Sequence, residues 1–215
     1  MTALKGFFIT GTDTGVGKTA VAAALAWLMN SRGIKAAPVK PVQTGVAPGE
    51  RGDLELCVEA AGITPTAQEL GFMNPYRFRP AASPHLAAEE EGVEIDCSRI
   101  LEAARRLAGS YDALVIEGAG GLLVPLTRKS TTLELAAEFG LPMVVVARAG
   151  LGTINHSLLT LEAAKRAQLT VAAVVLNRPE DEKPSEYSIK LDADNRKIIG
   201  ELGGVPVFEA LPHIA

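Results

Sequence analysis

Short apolar runs recur along the chain and alternate with stretches of helical spacing. Phe7–Ile9 predicts a buried strand, and Lys18–Ser31 a helix with Val21, Leu25 and Leu28 on one face. Ile34–Lys40 reads as a second strand, followed by a Gly/Pro-rich loop to Gly52 and a helix carrying Leu54, Cys57, Val58 and Ala61. Thr64–Pro84, rich in proline and aromatics, reads as an excursion over the surface, with helices expected at about 84–90 and 97–109. Residues 113–121 (ALVIEGAGG) run from strand to glycine loop, and residues 142–150 (PMVVVARAG) repeat that design. Helices are expected at Leu133–Phe139, 154–168 and 188–203, strands at 171–177 and 205–208, and a polar, mobile loop at 178–186. Unbroken Val/Ile/Leu runs separated by helices indicate a mostly parallel sheet with helices on both faces. The expectation is one α/β domain spanning residues 1–215.

Residues 10–19 (TGTDTGVGKT) lie between the first strand and its helix, the context a phosphate-binding loop requires. Backbone N–H groups of such a loop point inward, and the helix start adds partial positive charge. Gly15, Val16 and Gly17 would cradle phosphate, Lys18 would reach its β- and γ-groups, and the Thr19 hydroxyl would ligate Mg²⁺. The spelling departs from the usual pattern, since Thr12 stands five residues before Gly17 and Gly11 one place earlier. A glycine turn that merely caps a helix is the plainer alternative. Together, the flanks and Gly-Lys-Thr favour a P-loop nucleotide site.

In open parallel sheets ligands bind beyond the carboxyl ends of the strands, so the residues there carry the chemistry. They are Lys40–Gly45 (KPVQTG), Glu117–Gly121 (EGAGG), Ala149–Asn155 (AGLGTIN) and Asn177. Lys40 sits on the phosphate side of the sheet, against the alternative of a lysine snorkelling at a sheet edge. Thr44 and Gly45 bring a hydroxyl and a close backbone approach to the same place. Glu117 resembles the acid from which P-loop enzymes hold Mg²⁺, and Asp53 is either a helix N-cap or a further metal ligand. Asn177 has an amide suited to a nucleobase edge, or to a turn before Arg178-Pro179. His85, His156 and His213 show no catalytic partner, and nothing suggests a covalent intermediate.

The formal charge of −4 comes with interspersed signs and no basic stripe, which argues against nucleic acid. No apolar run approaches the roughly 18 residues of a membrane span, and no signal peptide is evident at the N-terminus. Cys57 and Cys97 match no metal or redox spacing, so two reduced thiols in a cytoplasmic protein are expected.

The combination GTDTGVGKT, KPVQTG, NPYRF with SPH, EGAGG, LGTINH and a late VLN strand resembles the dethiobiotin synthetases over roughly residues 5–210. Gly-Lys-Thr alone is shared by many ATPases; KPVQTG with EGAGG and LGTINH is far more specific. The resemblance implies that MgATP drives the joining of CO₂, or bicarbonate, to 7,8-diaminononanoate through a carbamate and a carbamic-phosphoric anhydride. It implies catalytic roles for Lys18, Lys40 and Thr14, and substrate or phosphoryl contacts for Thr14 and Thr44. It matches Asn177 to adenine reading and Pro206 to packing on the base. It further implies a homodimer in which Gly152, Thr153, Ile154, Asn155 and Tyr187 hold the substrate carboxylate from the neighbouring subunit. Thr19, Asp53 and Glu117 would be the metal ligands. Gly15 stands where some members carry an acid near the diamine, a departure that bears on how the amines are oriented.

Two rivals remain. Another amide-forming P-loop ligase, of the cobyrinate type, would carry a glutaminase domain that this length leaves no room for. A partition-type switch ATPase often has an extra lysine early in its P-loop, where this chain reads TGTDTGV.

Overall fold

The structure, a computed structural model, describes residues 4–178 and 185–209. The first strand, β1 (Gly6–Gly11), feeds the glycine loop and then α1 (Lys18–Ser31). Next come β2 (Ala36–Val39), the short β3 (Val42–Gln43), α2 (Asp53–Ala61), α3 (Ala67–Met73) and the short β4 (Tyr76–Arg77). The chain continues through α4 (Pro84–Glu90), α5 (Cys97–Leu107), β5 (Ala113–Gly121), α6 (Thr132–Phe139) and β6 (Met143–Arg148). It closes with α7 (Thr153–Arg166), β7 (Val171–Asn177), α8 (Glu186–Gly203) and β8 (Val207–Glu209).

Six strands form one sheet in the order β2-β5-β1-β6-β7-β8, and every pairing in it is parallel. The sheet's faces alternate along β1: Phe8 enters the core beneath α3–α6, whereas Ile9 enters the one beneath α1 and α2. Phe8 meets Phe139 of α6 with ring centroids 6.0 Å apart. Both faces are thereby covered, as continuous apolar strands demand. Among the described residues no helix is long and apolar enough to cross a membrane.

One expectation is sharpened and another corrected. On α1 the fully buried positions are Lys18, Ala22 and Ala26, while Val21 and Leu25 flank them, half-buried. Small alanines let the helix lie close to β1, so volume rather than hydrophobicity selects the inner face. The segment 64–84 is also no surface excursion, because Met73, Tyr76 and Phe78 are buried and β4 pairs with β3 in a second, two-stranded parallel sheet. Aromatic side chains as large as these gain most by leaving water, and here they pack beneath β2 and α5. The helix α3 starts at a reciprocal cap: Thr66 Oγ1 accepts from Glu69 N (3.2 Å) and Glu69 Oε2 from Thr66 N (2.8 Å). The spelling Thr66-Ala67-Gln68-Glu69 is that signal in the sequence. Most of the loop expected to be mobile, and His213, lie outside the described residues.

Candidate active site

Strand order brings the charged residues together. The neighbours β2, β5 and β1 deliver Lys40, Glu117 and the glycine loop to one end of the sheet, and α2 presents Asp53 from above. Lys40 follows the last residue of β2; its N–H donates to the Met73 carbonyl (2.8 Å) and its carbonyl accepts from Asn74 Nδ2 (2.6 Å). Its ammonium donates to Glu117 Oε1 at 2.5 Å and lies 2.6 Å from Asp53 Oδ2. Thr19 Oγ1 donates to the same Glu117 oxygen at 3.1 Å. Lys40 is 6% exposed and Glu117 3%, which rules out a snorkelling lysine. Asp53 is the first residue of α2 and faces Lys40, so it does not cap the helix; Gly52 holds that place.

Charge in this cluster follows from burial and proximity. Burial opposes the Lys40 ammonium, but Glu117 and Asp53 together outweigh it and raise its pKa above the ordinary value. Burial pushes the Glu117 carboxyl up, with Lys40 pulling against it. At 2.5 Å from the ammonium, Glu117 is the acceptor and the proton stays on nitrogen. Lys18 is lowered by burial and by the nearby Lys40 charge, and it donates to the Asp13 carbonyl at 2.8 Å, closing the loop on itself.

These residues line a cavity of about 780 Å³. Thr14, Gly15, Gly17, Lys18 and Thr19 form its loop wall, Lys40, Asp53 and Glu117 its floor, and Thr44 and Gly45 one side. Ala81–Pro84, inside the stretch read from sequence as a surface excursion, continue that side, Ala81 lying against Gly45. A cavity with two ammonium groups and two carboxylates gathered at one end, and small residues along its rim, fits a triphosphate with its cation beside a slender substrate.

Other expected site residues lie elsewhere. Asn177 ends β7, and its Nδ2 donates to the Val16 carbonyl at 2.9 Å, bracing the glycine loop from behind. A Cβ on Gly17, whose φ is +94°, would come 2.0 Å from that nitrogen, so only glycine fits. Pro206 precedes β8, is exposed, and its carbonyl accepts from Val174 N (2.9 Å), partway along β7 rather than at its carboxyl end. Gly152 (φ +90°) caps α7, Thr153 is buried with its hydroxyl unpartnered, and Asn155 is exposed, with Ile154 packed on the core. Tyr187, on α8, is exposed, and neither it nor the α7 start lines the cavity.

Three contributors were not singled out from the sequence. A Cβ on Gly15 would lie 3.9 Å from the Arg148 guanidinium, which places that arginine against the glycine loop; a charge closing the apolar run MVVVAR was the signal. Arg77 Nη1 meets Glu55 Oε1 at 2.6 Å, and Glu55 Oε2 accepts from Gly52 N at 2.7 Å, so this pair fastens the turn that carries Asp53.

The AAA domain family matches residues 5–215. An ATP-dependent dethiobiotin synthetase BioD from Anaeromyxobacter dehalogenans is 51% identical over 181 residues, covering 83% of this chain and 80% of that protein. A Bacillus cereus protein of the same name is 38% identical over 213 residues, 99% of this chain and 85% of its own. The chain belongs to the ATP-dependent dethiobiotin synthetases. This is a ligase family with a P-loop domain. Solved structures agree on the fold. A ParA family ATPase from Chlorobium tepidum matches with a TM-score of 0.58 at 16% identity, over 98% of this chain and 85% of that one. The GDP complex of signal recognition particle 54 kDa protein from Aeropyrum pernix matches with a TM-score of 0.52 at 17% identity, over 97% and 42%.

Proposed function

We propose that this chain closes the ureido ring of dethiobiotin, joining CO₂ to the two amines of 7,8-diaminononanoate while ATP is split to ADP and phosphate. The observation that carries the reading is the convergence of Lys18, Lys40, Thr19, Asp53 and Glu117 at one end of a cavity in a member of this family. One amine adds to CO₂ and loses a proton, giving a carbamate. A carbamate oxygen then attacks the γ-phosphorus and ADP departs. The second amine attacks the carbonyl carbon of the mixed anhydride, the ring closes and phosphate leaves. Lys18 holds the β- and γ-phosphates, Lys40 meets the charge that builds between carbamate and phosphoryl group, and Thr14 and Thr44 hold its oxygens. Substrate supplies every nucleophile, so positioning carries the catalysis and no covalent enzyme intermediate is needed.

Thr19, Asp53 and Glu117 suit Mg²⁺: their oxygens face one buried point already occupied by a cationic group. An ion held by only two carboxylates and a hydroxyl would take the rest of its shell from phosphate oxygens and water. Bound there, Mg²⁺ would supply positive charge to the phosphates.

In the same reading Asn177 and Pro206 serve the adenine, and Gly152–Asn155 with Tyr187 hold the substrate carboxylate of a partner subunit in a cytoplasmic homodimer. The exposure of Leu151 and Tyr187, and an α7 start with no side-chain cap, support an interface there. Nucleic acid and membrane are not partners, in keeping with a net charge of −4. The whole chain acts as one ligase domain. The test is phosphate release from MgATP with bicarbonate, with and without 7,8-diaminononanoate, alongside dethiobiotin formation. Release that needs the diamine and matches product is expected; equal release without it would instead indicate a switch ATPase.

A further inference from the structure

The carboxylates assigned to the metal in that reading are already engaged. Lys40 Nζ sits where Glu117 Oε1 (2.5 Å) and Asp53 Oδ2 (2.6 Å) converge, and Thr19 Oγ1 also donates to Glu117 Oε1. We propose that Lys40 is a built-in place-holder cation: it fills the Glu117–Asp53 site of the nucleotide-free protein, keeps a free divalent cation out, and turns to the reacting phosphoryl group only when nucleotide delivers that cation. The inference rests on the metal assignment above and deepens it.

Charge decides the first half. Lys18 and Lys40 balance Asp53 and Glu117, so the cavity floor is formally neutral with Lys40 in place. A bare divalent cation entering it would add two charges beside two ammonium groups in a poorly solvated site, whereas a cation arriving on a triphosphate brings its own excess of negative charge. Burial decides the second half. Glu117 is 3% exposed, so Lys40 cannot leave it without a substitute, because an unpaired buried carboxylate is strongly disfavoured. Release of Lys40 is therefore tied to arrival of the other cation. Geometry confines the movement to the side chain. Both backbone polar groups of Lys40 are hydrogen-bonded, to Met73 and Asn74, and Pro41 follows, so the four-carbon stem is the part free to rotate. The same ammonium would thus neutralise the acids before nucleotide binds and the phosphoryl group afterwards.

The test measures Mn²⁺ binding without nucleotide, read from the free-ion magnetic resonance signal, together with thermal unfolding. Wild type is compared with Lys40→Met and with Lys40→Met/Glu117→Gln. Lys40→Met should bind Mn²⁺ at least about tenfold more tightly than wild type, the equivalent of about 1.4 kcal/mol, since the site then lacks one positive charge. It should melt lower than wild type without metal and recover when Mn²⁺ is added. Adding Glu117→Gln should abolish the gain. Where Lys40→Met does not fold without metal, Lys40→Gln, whose amide still reaches Glu117, carries the same expectation. Equal Mn²⁺ affinity in wild type and the Lys40 variant, or a gain that survives Glu117→Gln, would overturn the place-holder. Dethiobiotin formation by wild type judges the ligase reading separately: product with equal affinities sinks only the place-holder, and tightened Mn²⁺ without product sinks only the ligase.

Discussion

Replacing Glu55 with alanine isolates the support beneath Asp53. Glu55 Oε2 accepts from Gly52 N at 2.7 Å at the start of α2, and Glu55 Oε1 takes Arg77 Nη1 at 2.6 Å. Losing the acceptor at a helix start costs about 1 kcal/mol. The charged hydrogen bond adds about 1 kcal/mol more, a figure held down because the two side chains are 26% and 34% exposed and partly screened. Arg77 Nε is already buried without a partner, and after the change its guanidinium keeps the Glu50 carbonyl, to which Nη2 donates, so only the Glu55 contact is lost. The total of about 2 kcal/mol lowers the thermal midpoint by about 4–8 °C for a chain of this length. Glu55→Gln keeps an acceptor for Gly52 N and should lose about half as much. The pH dependence has a definite sign. Burial pushes the Glu55 carboxyl up, but the Arg77 and Gly52 hydrogen bonds outweigh it and hold it below its usual range. A depressed folded pKa adds stability above the unfolded value and loses it as pH falls through the folded one. The gap between wild type and Glu55→Ala should therefore be full at pH 7 and shrink below about pH 4. Because Asp53 begins the same helix, the KM for MgATP should rise with the loss of stability. Unfolding followed by circular dichroism at several pH values checks this. A midpoint within about 1 °C of wild type at pH 7 would refute it.

Lys40→Ala should cut turnover by about a hundredfold, roughly 3 kcal/mol of lost transition-state stabilisation, with ATP affinity largely kept by Lys18; steady-state kinetics and nucleotide titration check both. Mixing Lys40→Ala subunits with Thr153→Pro subunits should restore activity if sites are shared across a dimer. Thr153 is the first residue of α7, where proline fits, so the variant should fold, and recovery of nothing would refute sharing. Burial pushes the Cys57 thiol up to about 12, with its Sγ 3.6 Å from the Thr19 carbonyl, so alkylation at pH 8 should be slow in the folded protein and rapid after unfolding.

Local pattern determined much of this protein. The runs around Phe7–Ile9, 113–121, 142–150 and 171–177 are apolar because a parallel strand covered on both faces has no side exposed to water, and that is written in consecutive residues. Gly-Lys-Thr after such a strand likewise declares a phosphate loop, and the residues closing the strands pointed to Lys40 and Glu117. What the sequence left open depends on partners distant along the chain. Spacing left Asp53 as a helix cap or a metal ligand; in the fold Gly52 takes the cap, and Asp53 faces Lys40, which the order β2-β5-β1 sets beside Glu117. The same holds for Asn177, which reads locally as a base-reader or a turn and in the fold braces Val16 from across the sheet. Segment 64–84 was misread because proline and polar residues mark its turns, while Tyr76 and Phe78 find their burial only against β2 and α5. A residue's own neighbours in sequence decide its backbone; where its side chain ends is decided by whatever the sheet places opposite it, and no local pattern encodes that.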